Sequence, residues 1–187
     1  HYHRVDSIDI HFVDEGNGES REPIVMVHGD PTWGYLYRNF VPALMKKHRC
    51  IIPDHMGMGK SSVPQERSLY RLEQHIANLE ALLLHLDLSN ITLIVHDWGG
   101  PVGLGVATRH PERIKRLVIS NTWAFAPWPG GPFPRLLEII RSEKGEAFVL
   151  KKNGYLEAAL RGTTYKTDNL TETMMRAYHA PFPTPES

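Results

Sequence analysis

The stretch LIVHDWGGPVG, residues 93–103 of this 187-residue chain, combines a strand pattern, a turn and a helix pattern. An apolar strand pattern leads into Asp97, and Gly99 and Gly100 then open a helical pattern. A strand, a sharp turn that tolerates only small neighbours, and a helix together form a nucleophile elbow. Elbows of the Gly-x-Ser-x-Gly type carry serine at the turn, whereas this chain carries a carboxylate. A second interpretation is that Asp97 only caps the helix, since aspartate is a common N-cap residue.

Strand and helix patterns alternate along the chain on both sides of this turn. The segment SIDIHFVDEG alternates apolar and polar residues up to Gly16, which predicts an edge hairpin strand. Continuous apolar runs, typical of strands buried on both faces of a sheet, occur in PIVMVHG, CIIPD, ITLIVH and IKRLVIS. Between them, helical spacing covers Gly34–Met45, one apolar face from Leu72 to Leu86, and Gly99–His110. This alternation predicts an α/β fold with a mostly parallel sheet and helices on both of its faces.

The composition changes at Asn121. The segment NTWAFAPWPGGPFPRLL is rich in proline, glycine and tryptophan, and from Leu136 onward the pattern is helical without another buried strand. We therefore predict that residues 1–121 form the N-terminal part of the core and that residues 122–187 form an inserted helical cap. The C-terminal portion of the sheet is expected to be missing from this chain, because IKRLVIS is a bare hydrophobic edge when no further strand pairs with it.

Composition excludes several classes of partner. The chain has 21 lysine and arginine residues and 21 aspartate and glutamate residues, so its formal net charge is zero. This balance argues against nucleic acid or an anionic membrane as the main partner. No apolar run approaches the roughly 20 residues that span a bilayer, and no signal-peptide pattern opens the chain. The single cysteine, Cys50, cannot form an internal disulfide and is expected to be buried. These features predict a soluble, cytoplasmic protein.

A second loop completes the predicted site around Asp97. The segment VHGDPTWGYLYRN follows the strand IVMV, and a loop in this place commonly adds a backbone N–H to an oxyanion hole. The expected backbone donors are Asp30 and Trp98. The indole N–H of Trp98 could also hold a departing halide, because it is a donor without acceptor capacity. Simple packing of this ring in a pocket wall is the alternative.

An aspartate at the elbow indicates displacement at a saturated carbon. Attack by serine would leave an ether that water cannot easily open, whereas attack by a carboxylate leaves an ester. Water activated by a histidine can hydrolyse that ester, and the negative charge then develops on the side chain of Asp97 itself. The substrate predicted from this chemistry is a small apolar molecule: a haloalkane, an epoxide or, less often, a strained lactone.

Several motifs together resemble the haloalkane dehalogenase branch of the α/β-hydrolase superfamily. They are, in the expected order, VHGDPTWGYLYRN, PDHMGMGKSS, VHDWGGPVG, HPERIKRLV and YHAPFP, and they cover nearly the whole chain. The resemblance implies that Asp97 is the nucleophile and Trp98 a halide-binding donor, with the backbones of Asp30 and Trp98 forming the oxyanion hole. It implies no metal and no organic cofactor. The expected partners are the small substrate and a halide ion, and a homo-oligomer remains open.

Three departures from this branch matter. Asp30 stands where many members carry a halide-binding asparagine, and an ionised carboxylate aimed there would repel a halide; some relatives carry an acid that contributes only its backbone. Asn121 stands where one subfamily has its catalytic glutamate, so the acid is expected on a later strand. The catalytic histidine is expected beyond residue 187. His96, His110 and His179 are expected to pack or to face solvent instead.

The sequence therefore supports more than one function. The first hypothesis is a hydrolase that cleaves carbon–halogen bonds through an aspartyl alkyl ester. A β-lactone decarboxylase is an alternative that Asp30 favours, because no halide must be held. An epoxide hydrolase would use cap tyrosines, for which Tyr155, Tyr165 and Tyr178 are candidates, although helix packing explains them equally well. The non-enzymatic hypothesis is an inactive truncated fragment or a remnant that binds apolar ligands.

Overall fold

The computed structural model describes residues 1–16, 22–124, 138–152 and 154–184. The chain divides into two compact units, His1–Ala124 and Phe125–Ser187. The boundary lies three residues beyond the predicted start of the cap, and the role of the second unit as a cap remains a prediction. Asp97 and the residues that surround it, from His28 to Trp123, belong to the first unit.

The first unit is built on a six-stranded sheet. Its strands are β1 (Tyr2–Val5), β2 (Ile8–Gly16), β3 (Ile24–Val27), β4 (Arg49–Pro53), β5 (Ile91–Asp97) and β6 (Ile114–Thr122). Their order across the sheet is β1-β2-β4-β3-β5-β6. The strands β4, β3, β5 and β6 are parallel neighbours, whereas β2 pairs antiparallel with both β1 and β4. The predicted α/β fold with a mostly parallel sheet is therefore confirmed.

Helices cover both faces of this sheet. The helices α2 (Leu72–His85) and α3 (Gly99–Arg109) pack against each other and form the main core with alternate residues of β3 and β5. The opposite residues of β3, Ile24 and Met26, pack with Tyr37, with Cys50 and with the short helix α1 (Val41–Leu44). Successive strand residues point to opposite faces, so an uninterrupted apolar run is what a doubly covered strand requires.

Two predictions about the N-terminal half were wrong in detail. The strand ending at Gly16 is not an edge, because β1 pairs with it and takes the outer position. The predicted helix Gly34–Met45 is instead a 3-10 turn, Gly34–Tyr37, followed by α1. Pro42 explains the break, since proline lacks an N–H donor and is accepted only in the first turn of a helix.

The last strand of the sheet, β6, lies at an edge. Three apolar side chains on it are exposed: Leu117, Val118 and Ile119. An exposed hydrophobic edge strand is a site at which further chain can pair. This arrangement agrees with the exposed edge expected from the sequence.

The second unit is helical in its described part. Its helices are α4 (Glu143–Lys152), α5 (Gly154–Thr163) and α6 (Glu172–His179). The helix α5 contacts both α4 and α6, and Thr171 caps α6 by accepting a hydrogen bond from the backbone N–H of Met174 at 3.3 Å. The proline- and glycine-rich segment after Asn121 lies mainly at residues 125–137, outside the described residues.

Candidate active site

The chain makes a sharp turn at Asp97, between the end of β5 and the start of α3. Asp97 has φ +52°, a left-handed conformation that residues other than glycine seldom adopt. The N-cap of α3 is Trp98, and the carboxylate of Asp97 receives a hydrogen bond from a different loop. The alternative in which Asp97 only caps the helix is therefore not the arrangement found. Backbone strain of this kind concentrates at functional sites.

The glycines after Asp97 are required by close packing, as the sequence predicted. A Cβ atom on Gly99 would collide with the carbonyl oxygen of Val27, and one on Gly100 would collide with the hydroxyl of Thr122. The start of α3 therefore lies directly against the end of β3 and of β6. No larger side chain fits at either position without moving backbone or an inflexible side chain.

The loop after β3 brings a backbone donor to the Asp97 carboxylate. The N–H of Asp30 donates to Oδ1 of Asp97 over 3.0 Å. Gly29 permits this approach, because a Cβ at that position would overlap the Asp97 side chain. The parallel pairing of β3 with β5 explains the proximity, since the carboxyl ends of parallel neighbours emerge at the same edge of a sheet.

The Gly29–Asp30 peptide, whose N–H donates to Asp97, is also hydrogen-bonded through its carbonyl group. The Gly29 carbonyl accepts the backbone N–H of Thr32 at 3.0 Å and the Thr32 hydroxyl at 2.8 Å, and Nδ1 of His28 lies 3.0 Å from it. The side chain of His28 is fully buried. Its Nε2 accepts the backbone N–H of His55 at 3.0 Å, and Nε2 of His55 lies 2.8 Å from the His28 carbonyl.

The turn is also tied to β6. The hydroxyl of Thr122 donates to the Asp97 carbonyl oxygen at 2.5 Å. An irregularity in the pairing of β5 with β6 makes this possible: Ser120 faces His96, but Thr122 faces Asp97. Asn121 is the extra residue, and it adopts φ +40°. Asn121 is thus the bulge residue, and it is exposed. A β-bulge commonly changes the direction in which the neighbouring side chains point.

The ring of Trp98 is packed against a second tryptophan. The centroids of Trp98 and Trp123 lie 5.2 Å apart in an edge-to-face arrangement. Such pairs are favourable because the positive edge of one ring meets the negative face of the other. The packing is consistent with the aromatic-wall alternative, while the halide-donor role and the oxyanion role of the Trp98 backbone both stay predictions.

Asp54 anchors the neighbouring loops. Its buried carboxylate accepts hydrogen bonds from the backbone of Gly34 at 2.7 Å and of Lys60 at 3.0 Å, and it lies 2.7 Å from Nδ1 of His11. Burial acts to raise the pKa of Asp54, but the hydrogen bonds from His11 and the backbone outweigh it and the pKa is lowered. Asp54 thus joins β2 to the loops after β3 and β4.

Three histidines that are far apart in the sequence have their rings close together, and one of them, His28, lies in the loop after β3. The ring centroids of His28 and His55 are 4.4 Å apart, and those of His55 and His75 are 5.4 Å apart. Burial lowers the pKa of His28 and lowers that of His55 well below its usual value. Burial, together with the nearby His28, lowers the pKa of His75 to about 4. All three are therefore neutral at physiological pH.

The other candidates from the sequence lie elsewhere or have other contacts. Nε2 of His110 lies 2.6 Å from a carboxylate oxygen of Glu80, and His179 ends α6. Tyr165 is 97% exposed, whereas Tyr178 is buried. Among the residues that the structure describes, no group of three or more His, Cys, Asp or Glu side chains could hold a metal ion, and no helix is long and apolar enough to cross a membrane.

Four side chains that support the turn were not predicted from the sequence: His28, Thr32, His55 and Thr122. His28 and Thr32 stand within the quoted motif VHGDPTWG, and a threonine three residues after a glycine carbonyl is a known local hydrogen-bonding pattern. His55 and Thr122 leave no such signal, because their contacts bridge 27 and 25 residues of sequence.

A sharp strand–turn–helix carrying a carboxylate, on a mostly parallel sheet covered by helices, defines the architecture of an α/β-hydrolase. The chain belongs to the alpha/beta hydrolase fold family, which it matches over residues 22–180. Solved structures of similar fold include the haloalkane dehalogenase DbeA of Bradyrhizobium elkani. That structure has a TM-score of 0.88 and 28% identity, and the match covers all of this chain and 64% of that one.

Among curated proteins, the chain is similar to enzymes of two activities. It is 43% identical over 175 residues to the cis-3-alkyl-4-alkyloxetan-2-one decarboxylase of Shewanella oneidensis, covering 92% of this chain and 54% of that protein. It is 32% identical over 171 residues to haloalkane dehalogenase 2 of Mycobacterium tuberculosis, covering 90% and 57%. The resemblance to the dehalogenase branch is thus confirmed, and the chain spans a little over half the length of these relatives.

Proposed function

We propose that this chain carries the nucleophile of an enzyme that opens and decarboxylates oxetan-2-ones, the four-membered β-lactones. The observation that carries the proposal is the Asp97 carboxylate at the strained turn, with one oxygen held by the Asp30 N–H. With Oδ1 occupied, Oδ2 is the oxygen available for attack. A relative named as an oxetan-2-one decarboxylase, at higher identity than the dehalogenase, supports the choice of substrate.

The proposed reaction begins with displacement at the saturated ring carbon bonded to the ring oxygen. Oδ2 of Asp97 forms a bond to that carbon, the carbon–oxygen bond of the ring breaks, and the ring oxygen leaves as one oxygen of a carboxylate that stays attached. The product of this step is an aspartyl ester with a carboxylate on the adjacent carbon. Asp97 supplies the electron pair, so no other nucleophile takes part.

The ester then breaks down by loss of carbon dioxide. The bond between the carboxylate carbon and the ring-derived carbon breaks, its electron pair forms the carbon–carbon double bond, and the bond to Oδ2 breaks. The products are carbon dioxide, an alkene and the regenerated Asp97 carboxylate, with atoms and charge balanced. The Asp30 N–H stabilises the negative charge that returns to Asp97.

Haloalkane dehalogenation, the first hypothesis from the sequence, is the second candidate. It is favoured by Trp98, which directly follows the nucleophile in the sequence and whose indole N–H is a suitable hydrogen-bond donor to a halide. Asp30 weighs against it, because an ionised carboxylate aimed at the halide site would repel a halide. In this chemistry Asp97 forms an aspartyl alkyl ester that lacks the adjacent carboxylate, and water must hydrolyse it.

Parallel assays of the complete gene product distinguish the two candidates. The protein is incubated with a cis-3,4-dialkyloxetan-2-one and, separately, with a 1-bromoalkane of matched length, and alkene, carbon dioxide and bromide are measured. We expect alkene and carbon dioxide from the lactone, lost in Asp97→Asn. Bromide release with no lactone turnover would reverse the order of the candidates. Lactone turnover that survives Asp97→Asn would contradict both.

A further inference from the structure

We infer that His28 and Thr32 are positioning residues that aim the Asp30 N–H at Asp97, with His55 fixing the tautomer of His28 that this requires. The inference rests on the proposed function of Asp97 and extends it to residues that do not touch the substrate. Its starting point is that one peptide group, Gly29–Asp30, carries both the carbonyl held by His28 and Thr32 and the N–H that donates to Asp97.

A trans peptide is planar, and its C=O and N–H point in opposite directions. Three donors fix the direction of the Gly29 carbonyl: the Thr32 N–H at 3.0 Å, the Thr32 hydroxyl at 2.8 Å and Nδ1 of His28 at 3.0 Å. Fixing the carbonyl therefore also fixes the Asp30 N–H on the opposite side, where Oδ1 of Asp97 lies at 3.0 Å. The donors from His28 and Thr32 therefore act on Asp97 through the rigid Gly29–Asp30 peptide group.

The tautomer of His28 follows from its second contact. The backbone N–H of His55 can only donate, so Nε2 of His28 must accept and cannot carry a proton. The proton of the neutral ring is then on Nδ1, where it points to the Gly29 carbonyl. His55 in turn donates from Nε2 to the His28 carbonyl, which closes a reciprocal pair between the loops after β3 and β4.

A loss of positioning has a kinetic signature that simple destabilisation lacks. The Asp30 N–H matters most when negative charge returns to Asp97, so a misaimed N–H slows breakdown of the ester more than its formation. The ester should then accumulate, and kcat should fall while kcat/KM changes little. Damage to the fold would instead lower the amount of ester and reduce both parameters.

The test compares matched threonine variants of the complete gene product. Thr32→Val removes the hydroxyl and keeps the shape, whereas Thr32→Ser keeps the hydroxyl. Thr108→Val is the control, because the Thr108 hydroxyl makes the same contact, at 2.8 Å, with the carbonyl of a glycine three residues earlier, but on the exposed end of α3. Each variant is mixed with the β-lactone and quenched in acid, and mass spectrometry measures the fraction of Asp97 present as ester.

For Thr32→Val we expect about a tenfold loss of kcat and a larger ester fraction than in the wild type, restored by Thr32→Ser. Thr108→Val should behave as the wild type. Equal ester fractions in Thr32→Val and the wild type, or a smaller fraction with both kinetic parameters reduced, would overturn the inference while leaving the role of Asp97 intact. No ester on Asp97 in the turning-over wild type would instead remove the proposed function and the inference together.

A measurement on the wild type tests the tautomer without any substitution. Nitrogen-15 NMR of the histidine rings distinguishes a protonated from an unprotonated ring nitrogen. We expect His28, assigned by its loss in His28→Asn, to carry its proton on Nδ1 at neutral pH. A proton on Nε2 would contradict the inference, because Nδ1 could then no longer donate to the Gly29 carbonyl.

Discussion

The partly buried histidine His75 should make the stability of this fold depend on pH in a predictable direction. Its pKa falls from the usual 6.5 to about 4 in the folded protein, through burial and the nearby His28. In the unfolded chain the ring binds a proton below pH 6.5, whereas in the folded protein it stays neutral until about pH 4. The unfolded state therefore binds more protons in this window, and stability is lost as the pH falls from 6.5 towards 4.

The magnitude follows from the size of the shift. Each pH unit inside the window costs about 1.4 kcal/mol of unfolding free energy. Lowering the pH from 7.5 to 5.0 crosses about one and a half units of the window, so His75 contributes a loss of about 2 kcal/mol. His28 and His55, whose pKa values are also lowered by burial, add to the loss in the same direction.

Urea unfolding of the complete gene product at pH 7.5 and 5.0 measures this contribution. His75→Gln removes one titrating ring and leaves the other two, so the stability loss of the wild type should exceed that of the variant by about 2 kcal/mol. His85→Gln, which removes an exposed ring from the same helix, is the control. Equal losses in the wild type and His75→Gln, within about 0.5 kcal/mol, would show that His75 does not contribute to this pH dependence.

Two further substitutions probe the turn itself. Gly29→Ala places a Cβ into the Asp97 carboxylate and should lower kcat by about 100-fold. Gly162→Ala is the control and should keep the wild-type kcat, because its added atom meets nothing within 4 Å. Equal rates for the two variants would contradict this packing. Thr122→Val removes the donor to the Asp97 carbonyl and should cost about 1–3 kcal/mol in urea unfolding, whereas Thr122→Ser should retain most of the stability. A neutral Thr122→Val would show that this bond contributes nothing.

Much of the fold was predictable because its signals are local. The apolar runs of β3, β4, β5 and β6 and the apolar face of α2 each fall within one short stretch of sequence. The turn at Asp97 was predictable for the same reason, since its small neighbours follow it directly. Tertiary contacts decided the rest: β1 lacks an apolar run and forms by pairing with β2, so its edge position could not be inferred.

Only part of the candidate site, Asp97 and the backbone N–H of Asp30, was predictable from the sequence. The Asp30 backbone was expected near Asp97, and its N–H lies there at 3.0 Å. The supporting contacts depend on which strands are neighbours and on their exact register. Thr122 reaches Asp97 only because the bulge at Asn121 shifts the pairing by one residue. Sequence periodicity alone cannot locate such a shift.

The role of Asp97 as the nucleophile is tested most simply by the mass of the peptide that contains it during turnover. The complete gene product is mixed with a cis-3,4-dialkyloxetan-2-one, quenched in acid within the first turnovers, digested and analysed by mass spectrometry. We expect this peptide to gain the full mass of the lactone, fragmentation to place the gain on Asp97, and the Asp97→Asn variant to show no gain. Turnover with Asp97 unmodified, or an adduct on another residue, would contradict this role of Asp97.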